Sequence, residues 1–132
     1  MEEETFEYGQ IDKIYGSGKT RVPVVNSGLE MTVQFSENDE RTINLKWATL
    51  QPAHGCVDLS SSKGAVTVAS GVRSFADISD PKIFRFPSHY ARMNKGMIVV
   101  VQPTDATFFA LVELLGVFQE DILFRWQVRN NA

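Results

Sequence analysis

Three side chains able to do chemistry crowd into five positions: His54, Cys56 and Asp58, in the run His54-Gly55-Cys56-Val57-Asp58. An imidazole that deprotonates a thiol yields a nucleophilic thiolate, and imidazole, thiolate and carboxylate are also common metal ligands. Spacing limits both uses. In an extended chain alternate residues share a face, so Cys56 and Asp58 lie together, and His54 joins them only if the chain stays extended through Gly55. A cysteine also serves simply as a small buried hydrophobe, and that structural role is the expected one here.

A second polar group is Ser88-His89-Tyr90-Ala91-Arg92, in which Tyr90 and Arg92 are candidate binding residues. His54 and His89 are the two histidines of the chain. A catalytic set of His54, Cys56, Asp58 and His89 therefore requires the fold to bring distant segments together, with geometry deciding the matter. No metal site and no cofactor is expected.

Gly16-Ser17-Gly18-Lys19-Thr20 ends like a phosphate-binding loop, in which backbone amides and a lysine hold phosphates at a helix start. The glycine such a loop needs five positions before Gly18 is Lys13, and Arg21-Val22-Pro23-Val24-Val25 puts a proline and β-branched residues where a helix must begin. The segment reads as a hairpin turn.

Tyr8-Gly9-Gln10-Ile11, Gly16-Ser17-Gly18, Asn26-Ser27-Gly28 and Thr32-Val33-Gln34-Phe35-Ser36 together resemble the first three strands of a cold-shock domain, over residues 8 to 36. The resemblance implies a small barrel. That family contacts nucleic acid through a Gly- and Phe-rich strand, whereas Thr20 to Val25 carries no aromatic to stack on a base, so the functional half is missing.

Composition narrows the partners. Thirteen Lys and Arg against sixteen Asp and Glu give a formal charge of −3, the wrong sign for binding driven by phosphate contacts; nucleic acid is not an expected partner. The single cysteine excludes an intrachain disulfide and a multi-thiolate zinc site. Met1-Glu2-Glu3-Glu4 is unlike a secretory leader, and no apolar run approaches the about 18 residues that span a bilayer. A cytoplasmic location is expected, without membrane insertion.

The elements that position these residues are legible as alternation. Leu29, Met31, Val33 and Phe35 alternate with polar residues, as do Ile43, Leu45 and Trp47 after the polar run Ser36 to Arg41, predicting a hairpin. Ile122, Phe124, Trp126 and Val128 mark the last strand, with Leu123, Arg125, Gln127 and Arg129 on its other face. Met97 to Val101 is apolar on both faces, as a central strand requires, and Pro103-Thr104-Asp105 supplies a turn. Ala106 to Gly116 fits a helix or a strand. Its place between two strands favours a strand that completes a meander.

A turn-rich middle, Pro52 to Ser88, holds short strands at Cys56 to Leu59, Ala65 to Ala69 and Ile83 to Phe86. Ser88 to Lys95 reads as one or two helical turns. Most aromatics, including Phe6, Tyr8, Phe84 and Phe86, fall on apolar faces and read as core. The expected architecture is all-β, a single-domain sandwich or small barrel of seven to ten short, mostly antiparallel strands over residues 1–132, with at most one short helix. A split near Gln51 into two small β units is the disfavoured alternative.

With no catalytic motif and several strand edges, the leading expectation is a noncatalytic binding or assembly module whose partner is another protein or a second copy of the chain. Phe108-Phe109 on a strand points one ring to each side, and the ring turned from the core is a candidate interface. The alternatives are a small enzyme built on Cys56 with His54 or His89, and a nucleic-acid-binding barrel using Lys13, Lys19, Arg21, Lys46, Arg85 and Arg92.

Overall fold

The alternation from Leu29 to Phe35 forms strand β3 (Leu29–Ser36), which pairs antiparallel with β4 (Asp39–Gln51). Met31 lies opposite Leu45 and Val33 opposite Ile43, so the apolar faces of both strands coincide. At the hairpin's tip, Asp39 accepts hydrogen bonds from the Arg41 guanidinium and from the Arg41 backbone N–H, at 2.7 to 3.1 Å. These bonds hold the Asp39 carboxyl below its usual range.

The computed structural model describes residues 13–24, 28–61, 64–79, 90–103 and 108–130. The expected strand at Ile83 to Phe86, His89, most of the turn after Pro103, and Phe6 and Tyr8 lie outside these residues.

Among the described residues, two five-stranded sheets pack face to face. The first runs in the order β1 (Lys13–Tyr15), β3, β4, β5 (Cys56–Ser60), β7 (Tyr90–Asn94). The second runs β2 (Ser17–Pro23), β10 (Asp121–Asn130), β9 (Phe108–Val117), β8 (Ile98–Pro103), β6 (Gly64–Val68). All pairings are antiparallel except β1 with β3. The architecture is an all-β sandwich, and of the segment that fits a helix or a strand the described part, from Phe108, is strand. Consecutive β8, β9 and β10 make the expected meander.

Inward-facing Met31, Val33, Leu45, Trp47, Val57 and Leu59 of the first sheet meet Val99, Val101, Phe108, Val112, Ile122 and Phe124 of the second. Full burial of such a side chain contributes about 1.5–3 kcal/mol. Trp47 packs against Phe124 with ring centroids 4.9 Å apart.

Three expectations are corrected. First, Gly16-Ser17-Gly18 is not a hairpin turn: β1 and β2 lie in different sheets, and the chain crosses between them at Gly16, whose φ is 57°. The region resembling a cold-shock domain is therefore divided between sheets, since β2 pairs with the last strand. The Trp126 indole N–H donates to the Tyr15 carbonyl at 3.0 Å, and the Val128 N–H to the Gly16 carbonyl at 2.7 Å, fixing this corner.

Second, Tyr90–Asn94 is a strand where helical turns were expected. Ala91 and Met93 point into the core while Tyr90, Arg92 and Asn94 face out, and β5 supplies the pairing. The helical segments among the described residues are two three-residue 3-10 turns, Pro52–His54 and Phe75–Asp77.

Third, neither phenylalanine of Phe108-Phe109 is exposed. Phe108 enters the main core, and Phe109 joins Ile98, Val100 and Leu111 on the outer face of the second sheet, where Ala69, Phe75 and Ile78 cover them. The chain thus buries both rings itself. Arg129 ties the cover down, donating to the carbonyls of Phe75 (2.7 Å) and Ile78.

Candidate functional site

The segment Gln51 to Asp58 shows why His54 stands apart from Cys56 and Asp58; His89, the fourth candidate, lies outside the described residues. Proline at 52 starts a 3-10 turn, and Gly55 at φ 67° reverses the backbone before β5 begins. The chain is thus not extended through Gly55. His54 sits exposed on the turn, whereas Cys56 is buried, 4% exposed.

Val57 and Leu59 take the inward positions of β5, so Cys56 and Asp58 do share the outer face of the first sheet. Each already has a partner. The Cys56 thiol approaches Gln51 Oε1 at 3.9 Å, and Asp58 forms a two-pronged ion pair with Arg92 on β7, Nε–Oδ1 2.9 Å and Nη2–Oδ2 3.4 Å. Hydrogen bonding to Asp58 raises Arg92 above the ordinary guanidinium range. Among the described residues no three His, Cys, Asp or Glu side chains cluster as metal ligands would.

Tyr90 lies opposite Ser60, and Arg92 opposite Asp58, on β7, the outermost strand of the first sheet among the described residues. Tyr90 is the most exposed of the large apolar side chains among the described residues, at 58%. Pairing along β5–β7 runs without a bulge from Cys56 to Ser60.

Four of the cations expected for nucleic acid divide between the two sheets. Lys19 and Arg21 lie on β2 of the second sheet, Lys46 and Arg92 on β4 and β7 of the first. Arg21 is paired with Asp121 at 3.0 Å and Arg92 with Asp58. Arg85 lies outside the described residues.

A second polar site escaped the sequence reading. On the outer face of the second sheet, Ser17, Gly18 and Lys19 of β2, Arg125, Trp126 and Gln127 of β10, and Phe75 border an open basin of about 410 Å³. Arg125 lies directly opposite Lys19 on one side and Glu113 of β9 on the other. It donates to buried Glu113 and sits over the Phe75 ring, 4.6 Å from its centroid. Arg125 and Gln127 were legible as outward residues of the last strand. Their meeting with Lys19 depends on pairing between the two ends of the chain, which alternation does not encode.

A Cβ at Gly18 would stand 2.8 Å from the Trp126 ring. Gly16 and Gly18 thus serve a sheet crossing and an aromatic contact, which accounts for the resemblance to a phosphate loop without a nucleotide. Compared with known proteins, the chain matches no family model, no curated protein and no solved structure. No helix among the described residues is long and apolar enough to cross a membrane.

Proposed function

We propose that this chain is a noncatalytic binding module that works by strand addition at β7, with pairing to a second copy as the simplest form. The observation that supports this reading is the character of β7, outermost in its sheet among the described residues. An edge strand presents a row of backbone donors and acceptors, and proteins usually blunt it with proline, lysine or a bulge. Strand β7 has no proline, no lysine and no bulge. Its one charge, Arg92, is neutralised by Asp58, so it does not repel an incoming strand as an unpaired cation would.

Of the other outer strands, β1 has three residues and β2 carries Gly18, Lys19 and Pro23; β6 (Gly64–Val68) is as unblunted as β7 but has no exposed aromatic like Tyr90 for a partner to cover. The commitment of Cys56 to Gln51 and of Asp58 to Arg92, with His54 turned onto a separate 3-10 turn, favours binding over Cys-His catalysis.

Backbone amide exchange measured at low and high protein concentration tests the reading. Pairing between copies makes protection in Tyr90–Asn94 rise with concentration while β9 stays constant. Protection in β7 that is independent of concentration contradicts self-pairing.

A further inference from the structure

We infer that the basin on the outer face of the second sheet binds a small organic anion through its carboxylate or phosphate group. This goes beyond the strand-addition reading and uses the opposite sheet. The register places two cations, Lys19 and Arg125, directly opposite each other, an arrangement that destabilises a sheet unless negative charge lies nearby. Glu113 answers Arg125 from the far side. Among the described residues Lys19 has no partner and no carboxylate lines the basin.

The remaining polar groups are suited to donate. Arg129 Nε donates to Gln127 Oε1 at 2.6 Å, which leaves the Gln127 amide NH₂ as a donor. Arg125 uses Nε on Glu113, and that bond together with the Phe75 ring fixes the plane of its guanidinium. A planar, pre-oriented guanidinium beside an ammonium group and a hydroxyl matches the oxygens of a carboxylate or phosphate. The volume, about 410 Å³, lies within the roughly 300–1,000 Å³ of small-molecule sites, and Phe75 gives it an apolar wall.

The test is an NMR titration of the full chain with inorganic phosphate, acetate and benzoate, following the two tryptophan indole N–H signals. Trp126 borders the basin, whereas Trp47 is fully buried between the sheets and serves as the internal control. The expected result is a saturable shift of the Trp126 signal with the Trp47 signal still. Lys19→Gln should weaken that binding about tenfold, as loss of a charge-assisted hydrogen bond does, Lys19→Arg should retain it, and Lys46→Gln, on the other sheet, should leave it unchanged. Tighter binding of benzoate than acetate identifies a carboxylate carried on an apolar ring; preference for phosphate identifies a phosphoryl group. Absence of a saturable shift with all three anions, or equal weakening by Lys19→Gln and Lys46→Gln, overturns the assignment.

Discussion

Replacing Gly18 with alanine probes the packing that explains the glycine-rich segment. The new methyl group would lie 2.8 Å from one atom of the Trp126 ring and 2.9 Å from a second. Ordinary carbon contacts begin near 3.5 Å, so the ring or β2 must shift by about 0.7 Å. The indole resists, because its N–H is bonded to the Tyr15 carbonyl and its ring packs against Phe124 with centroids 5.8 Å apart. Overpacking of this kind costs about 1–3 kcal/mol. Taking ~2 kcal/mol, thermal unfolding should fall by about 8 °C in a chain of this size. The informative assay is a double-mutant cycle in which Gly18→Ala is also measured in a Trp126→Phe background, where the shorter ring does not reach β2. There the alanine should cost little or stabilise slightly, since it restricts the unfolded chain. Equal losses in both backgrounds, or no loss in the parent protein, would refute the argument that Gly18 is present to admit Trp126.

Arg129→Met should remove the bonds to the Phe75 and Ile78 carbonyls at a cost of about 2–3 kcal/mol, with hydrogen exchange accelerating first in residues 69–79; uniform acceleration across both sheets would contradict a local clamp. Cys56 should be alkylated far more slowly in the native protein than in denaturant, because it is 4% exposed, and fast native labelling would revive the catalytic reading. Asp39, whose folded-state carboxyl is held below its usual range by Arg41, contributes stability that is complete above the unfolded value near 3.9 and is lost as pH falls through the lower folded value. An NMR titration of the Asp39 carboxyl should show the depressed midpoint, and Arg41→Met should return it toward the ordinary value.

Alternation made β3, β4, β8 and β10 legible because each buries one or both faces in a regular period-two pattern. Alternation also put the apolar residues of β3 and β4 on one face, but a slip of two residues keeps that match, so the register that sets Met31 opposite Leu45 was not legible from it. The crossing at Gly16 did not follow: a glycine-rich turn between two short extended runs looks the same whether the runs pair or part, and distant β10 decides which. Tyr90–Asn94 was obscured because its inward positions, Ala91 and Met93, suit a helix as well as a strand. At the candidate cluster the shared face of Cys56 and Asp58 was readable, but the turn at Pro52–His54 that removes His54 depends on how β4 ends. The second apolar layer under Phe75 and Ile78 was hidden because residues 69–79 have no periodicity and gain their role only by lying across β8 and β9.

The most direct test of the strand-addition account is sedimentation velocity over a wide concentration range, comparing the parent protein with Tyr90→Lys. An edge lysine adds an unpaired charge to β7, the device by which proteins prevent edge pairing. The account predicts that the parent chain shifts from monomer to dimer as concentration rises, while Tyr90→Lys, with an unchanged circular dichroism spectrum, stays monomeric. A parent protein that is monomeric at every accessible concentration, or a dimer that Tyr90→Lys leaves intact, would contradict pairing of two copies through β7.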